Sequence, residues 1–167
     1  MTRTLEQFAS ACSAVLRADA GPAGRRQVCA LLEDALKDEG FIAATITEAT
    51  PERKVVYEDP QLGFCILAHR YEGEKKNVPP HDHGPSWAIY GQARGETMMT
   101  DFELIEAASE SVPGKAKPVR NYSIKPGMAH LYNEGELHAP MRLGATRLIR
   151  IEGVNMDSIK RLKYQAV

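Results

Sequence analysis

The chain has 167 residues, 43% of them hydrophobic and 26% charged, which are the proportions of one ordinary globular domain with a substantial core. Its formal net charge is −1, without a block of five like charges, so neither nucleic acid nor an anionic membrane finds an electrostatic partner in it. No apolar run approaches the roughly 18 residues of a spanning helix.

The N-terminus, Met1-Thr2-Arg3-Thr4-Leu5-Glu6, has an early acid and no apolar segment, and a signal peptide is not expected. Thr4 followed by Gln7 is a capping-box signature, and Leu5, Phe8, Cys12, Val15 and Leu16 form one apolar stripe. Gly21-Pro22 breaks the chain and restarts it. Val28, Leu31, Leu32, Ala35 and Leu36 form a second stripe, with Gly40 as its expected C-cap. Residues 1–40 therefore read as a two-helix segment packed on the remainder of the chain.

From Phe41 the texture changes to short strands separated by Gly, Pro, Asp and Asn. Strands are predicted at 41–47, 54–57, 64–69, 87–91, 96–104, 119–124, 128–132 and 146–151. This spacing argues a mainly β barrel or sandwich over 41–167, within one domain overall. Residues 111–115 read as a flexible connection between the two barrel halves, and 156–164 as a last short helix. Cys12, Cys29 and Cys65 are far apart and odd in number, which suits free, buried thiols in a reducing cytoplasm.

Pro80-His81-Asp82-His83-Gly84 carries the clearest chemistry. Side chains alternate along an extended segment, so His81 and His83 share a face and can grip one metal ion. His69 stands in an apolar strand with no ligand-spaced neighbour. If Ala88 points inward, so do Tyr90 and Gln92. On the strand at 146–151, either Thr146, Leu148 and Arg150 or Arg147, Ile149 and Ile151 point in.

His83 is followed by four residues, Ala88, six more residues and Gly95. This pattern resembles the first motif of the cupins, which are jelly-roll-like double-stranded β-helix barrels. Most cupins place a metal-binding Glu where Ala88 stands, so the resemblance implies a site of histidines alone. The segment from Lys125 to Asn133 resembles the second cupin motif and offers His130 as third ligand. His138 is the competitor, but Asn133-Glu134-Gly135-Glu136 reads as a turn that separates it from that strand. Three imidazoles suit Fe(II), with Zn, Ni or Mn as alternatives, and leave positions for substrate and O2.

Residues 53–57, 64–67 and 80–95, behind a helical N-terminal segment, are similar to the cysteine dioxygenase family. That resemblance implies an iron cupin with three His ligands that adds both atoms of O2 to a small thiol. It places the substrate-carboxylate arginine at Arg53, with Lys54 an equally close match. Two features depart from the family. Ala88 replaces the Cys that crosslinks to a Tyr in animal members, and 146–151 lacks the family's Ser-x-His-x-Tyr.

The chain thus reads as a metal-dependent cupin enzyme with ligands His81, His83 and His130. Arg53, Tyr90 and Arg150 are its candidate substrate-binding residues. The expected partners are a small anionic organic substrate and O2, with no nucleic acid or membrane, in a possible homodimer. The alternative is a non-oxidative cupin lyase or isomerase acting on a small, possibly aromatic, acid.

Overall fold

A computed structural model describes residues 2–167. Three helices, α1 (Leu5–Ala18), α2 (Pro22–Ala35) and α3 (Glu39–Thr45), precede the strands. The capping box at Thr4 forms as the sequence predicts: its side chain accepts from the Gln7 N–H while the Gln7 side chain accepts from the Thr4 N–H. The predicted strand at 41–47 is instead α3. Asp38 caps it by accepting from the Phe41 N–H, and Phe41, Ile42 and Thr45 bury one helical face. Gly40 accordingly lies inside α3, while α2 ends at Ala35 with Leu36 as its cap.

Among the described residues nine strands follow: β1 (Lys54–Glu58), β2 (Cys65–Tyr71), β3 (Ala88–Arg94), β4 (Thr97–Glu106), β5 (Gly114–Ile124), β6 (Ala129–Tyr132), β7 (Leu137–Met141), β8 (Thr146–Glu152) and β9 (Tyr164–Ala166). One sheet runs β1-β2-β8-β3-β6 and the other β7-β4-β5-β9. Side chains from both sheets, among them Tyr90, Leu148 and Tyr132 from one and Met99 and Ile124 from the other, meet in a shared inner core. This is a mainly β, barrel-like fold in which the two sheets enclose that core. Residues 111–115 do not join its halves, because they form the hairpin between neighbours β4 and β5. The predicted terminal helix is only one turn at Met156–Ser158, after which β9 pairs in parallel with β5.

A larger core lies on the outer face of the first sheet. There Phe8, Leu16, Val28, Leu32 and Phe41 of the helices pack on Ile66, Ala68, Ile89, Ile149 and Ile151. β2 is thus covered on both faces, which is why Phe64-Cys65-Ile66-Leu67-Ala68 is continuously apolar rather than alternating. Gly91 permits the approach of α2, since a Cβ there would lie 2.6 Å from the Leu32 side chain. The parity of β3 and β8 is set by this packing. Ile89 and Ile149 face the helices, so Ala88, Tyr90 and Gln92, and Thr146, Leu148 and Arg150, face the barrel interior. Gly95 turns β3 into β4 at φ 70°, where a side chain would also collide with the Ala145 carbonyl.

The three cysteines are free thiols, Cys12 and Cys65 buried and Cys29 partly so. Burial pushes each thiol up to about 12, which suits packing rather than nucleophilic chemistry. Among the described residues, no helix is long and apolar enough to cross a membrane.

Candidate metal centre

The stretch before β3 is extended but not a regular strand, because Pro79 and Pro80 carry no N–H for a ladder. It touches β7 and its flank at two isolated bridges, Lys75 with Arg142 and His81 with His138. The second bridge is a reciprocal pair. His81 N donates to His138 O at 3.0 Å, and His138 N donates to His81 O at 2.9 Å. Directly opposed residues place their Cβ atoms about 5 Å apart on one face. His83 comes two residues after His81, and Gly84 at φ 56° then turns the chain away.

The outcome is a three-histidine cluster of His81, His83 and His138, with one ring nitrogen from each lying within 4.8 Å of the others. Ring centroids are 4.8 Å apart for His81 and His138, 5.3 Å for His83 and His138, and 6.0 Å for His81 and His83. His83 and His138 are buried. His130, the third ligand anticipated from the sequence, does not join this cluster. It sits on β6 opposite Tyr90, in the sheet that does not contain β7, and packs at a tilt against the rings of Tyr122 and Tyr132. The turn at Asn133–Glu136 does separate the two histidines, but it delivers His138, not His130, to the strand beside His81.

The chemistry of these donors fits a divalent ion. His138 Nδ1 lies 2.9 Å from the Glu136 carbonyl and His81 Nδ1 lies 3.1 Å from the Pro79 carbonyl. A carbonyl only accepts, so both Nδ1 atoms carry the proton and both Nε2 atoms hold lone pairs. The Tyr90 hydroxyl is 3.0 Å from His83 Nε2 and 3.3 Å from His138 Nε2. Tyr90 therefore faces the centre itself, with Ala88 inward and one interior step away on β3.

Burial holds the imidazoles in the neutral form that binds metals. Desolvation, aided by the Arg150 charge, lowers His81 to about 4 and pushes His83 and His138 well below the ordinary histidine value. Between pH 6.5 and about 4 the unfolded chain binds protons at these residues that the folded chain refuses, so stability falls as the pH falls. We expect metal-free protein to lose on the order of a few kcal/mol across that window. Urea unfolding at stepped pH checks this; a flat profile down to pH 4.5 would contradict it.

A pocket of about 380 Å³ opens beside His83 and includes Arg53, His69, Tyr71, Arg150 and Glu152. The guanidinium of Arg53 is already engaged, with Asp157 at 2.8 Å, Glu152 at 3.3 Å and Asn155 at 3.4 Å. Arg150 is freer. It lies 4.1 Å over the Tyr90 ring, touches Glu152 only at 3.4 Å and leaves its Nε without a partner. Both arginines touch the buried carboxylate of Glu152, but Arg53 has Asp157 as a second, shorter partner, so Arg150 is the guanidinium left with donor capacity to spare. Sequence reasoning named both arginines but did not place His69 here. The parity of β2, where Ile66 and Ala68 meet the helices, is the signal that would have turned His69 inward.

No protein-family profile matches the chain, and no curated protein matches it. Among solved structures, it is similar to a cupin-2 domain protein from Shewanella frigidimarina, at 16% identity over 59% of this chain and 76% of that one, with a TM-score of 0.41. KdgF from Halomonas matches at 16% identity over 64% and 82% of the two chains, with a TM-score of 0.44. A double-stranded β-helix protein from Klebsiella pneumoniae matches at 12% identity over 71% and 83%, with a TM-score of 0.45.

Proposed function

We propose that this chain is a metal-dependent cupin enzyme, a non-haem iron dioxygenase acting on a small thiol or another small organic acid. The observation that carries the reading is the His81, His83 and His138 cluster, with the Nδ1 protons of His81 and His138 tied to backbone carbonyls, opening on a pocket that holds Arg150. Ferrous iron held by three neutral imidazoles would supply the redox chemistry while keeping positions for substrate and O2. Neutral ligands leave the ion's charge uncompensated, and Arg150 adds a weakly engaged guanidinium in the adjoining pocket, so an anionic substrate is favoured.

The residues around the centre have separate tasks. Arg150 pairs with the substrate's carboxylate, and a guanidinium suits this because it offers parallel donors and stays charged. Glu152 anchors both Arg150 and Arg53. Tyr90, buried between Arg150 and two of the histidines, limits the space beside the centre and can donate its hydroxyl proton to a bound oxygen atom of the substrate.

Metal analysis of protein purified without chelators, joined to oxygen uptake with cysteine and 3-mercaptopropionate, tests the reading. We expect about one iron per chain and oxygen consumption that yields a sulfinate carrying two labelled atoms from ¹⁸O₂. A metal-loaded protein that consumes no oxygen with any thiol would instead favour a non-oxidative lyase or isomerase. A chain that holds no divalent metal would overturn both.

A further inference from the structure

The pocket beside the three histidines contains a fourth imidazole that no protein group fully uses. His69 projects inward from β2 and is 1% exposed. Its Nδ1 lies 2.7 Å from the Glu52 carbonyl oxygen, so Nδ1 carries the proton. The Tyr71 hydroxyl lies 2.9 Å from the same nitrogen, and the two rings stack at 5.5 Å. Nε2 is left with its lone pair and has no hydrogen-bond partner. Arg150, which lines the same pocket, has an unpartnered Nε. Orphaned buried polar atoms are rare in folded proteins, and here the residues carrying a free lone pair and a free cationic donor line one pocket.

We propose that this pocket takes a small organic acid bearing an acidic X–H group, a thiol or hydroxyl, near its carboxylate, with His69 Nε2 accepting the X–H proton while Arg150 holds the carboxylate. The inference rests on the reading of this pocket as the substrate pocket of the metal centre. In the step, the X–H bond breaks, an Nε2–H bond forms, and the electron pair stays on X. The Glu52 carbonyl keeps the Nδ1 proton in place, so the imidazole can gain a proton only at the nitrogen facing the ligand. Desolvation and the charges of Arg150, Arg53 and Arg142 hold His69 neutral before the ligand arrives. The ligand's carboxylate then offsets Arg150, and the anion left on X adds a counter-charge, so both raise the proton affinity of His69 at the moment of need.

Proton counting by calorimetry tests this without turnover. Zinc-loaded protein is titrated at pH 7 with 3-mercaptopropionate, a thiol protonated in solution, and with 3-(methylthio)propionate, which has no S–H. Paired buffers of different ionisation enthalpy report the protons released. Wild type should bind the thiol with close to no net release, whereas His69→Gln should release about one proton and bind about tenfold more weakly, the loss of one hydrogen bond to a charged group. The thioether should bind both proteins alike. Equal proton counts for the thiol in the two proteins, or equal weakening of thiol and thioether in the variant, would overturn the proposal. So would release of a full proton by wild type, which needs no variant at all. Zinc content separates the outcomes: no stoichiometric zinc in wild type defeats the metal centre, while zinc with the wrong proton count defeats only the role of His69.

Discussion

Replacing His138 by alanine should abolish stoichiometric metal binding, whereas His130→Ala should leave it intact. His138 is the residue directly opposed to His81, with reciprocal backbone bonds at 2.9 and 3.0 Å, and its Nδ1 proton is fixed by the Glu136 carbonyl. Removing it deletes one of three nitrogens that converge within 4.8 Å. The loss should exceed the roughly 10–100-fold that results when only a supporting partner of a ligand is removed. His130 packs against Tyr122 and Tyr132 and offers nothing to that cluster. Competition against a chelator of known affinity, with circular dichroism to confirm folding, measures both variants. Metal retained by His138→Ala and lost by His130→Ala would restore the assignment that the sequence favoured.

The chain contains Gly-x-x-His twice, at Gly127 to His130 and at Gly135 to His138. Local spacing cannot choose between them, since both histidines stand near the start of a strand after a glycine turn. What decides is which strand lies beside His81, a pairing between residues far apart in sequence. β7 escaped prediction because Leu137-His138-Ala139-Pro140-Met141 is short and its proline weakens a strand reading. The proline is tolerable because β7 is an edge strand of its sheet, and its second neighbour is only the two-bridge stretch. The helices and most strands were legible for the opposite reason. Capping at Thr4, the stripes of α1 and α2 and the apolar run of β2 are local signals. α3 misled because seven residues rich in Phe, Ile and Thr read as a strand until Asp38 is recognised as a cap.

The pocket was half legible in the same sense. Period-two alternation correctly confined the inward residues of β8 to one of two sets, but only packing against the helices selects the set with Arg150. The sequence also could not reveal that Arg53, the match implied by family resemblance, spends its guanidinium on Glu152 and Asp157. An arginine's partners depend on what the fold brings to it, and Asp157 arrives from a turn 104 residues further along the chain.

That difference in partners separates the two arginines by experiment. Arg150→Lys should weaken binding of a carboxylate ligand by about 10–100-fold, because a charge-assisted hydrogen bond contributes roughly 1.5–3 kcal/mol and lysine cannot reproduce a paired contact. Arg53→Lys should change binding little and instead lower stability modestly, since it loosens the hold on the buried carboxylate of Glu152. The informative comparison uses zinc-loaded protein titrated with 3-mercaptopropionate and with 3-mercaptopropionamide, which keeps the thiol but removes the charge. Wild type should prefer the acid, and Arg150→Lys should lose most of that preference while its affinity for the amide stays close to wild type. Should Arg53→Lys be the variant that loses the preference, the carboxylate sits at the outer rim of the pocket and Glu152 must yield its partner when the ligand binds. If neither variant alters the preference, the cluster of Arg53, Arg150 and Glu152 serves the fold rather than recognition, and the metal ion alone attracts the substrate.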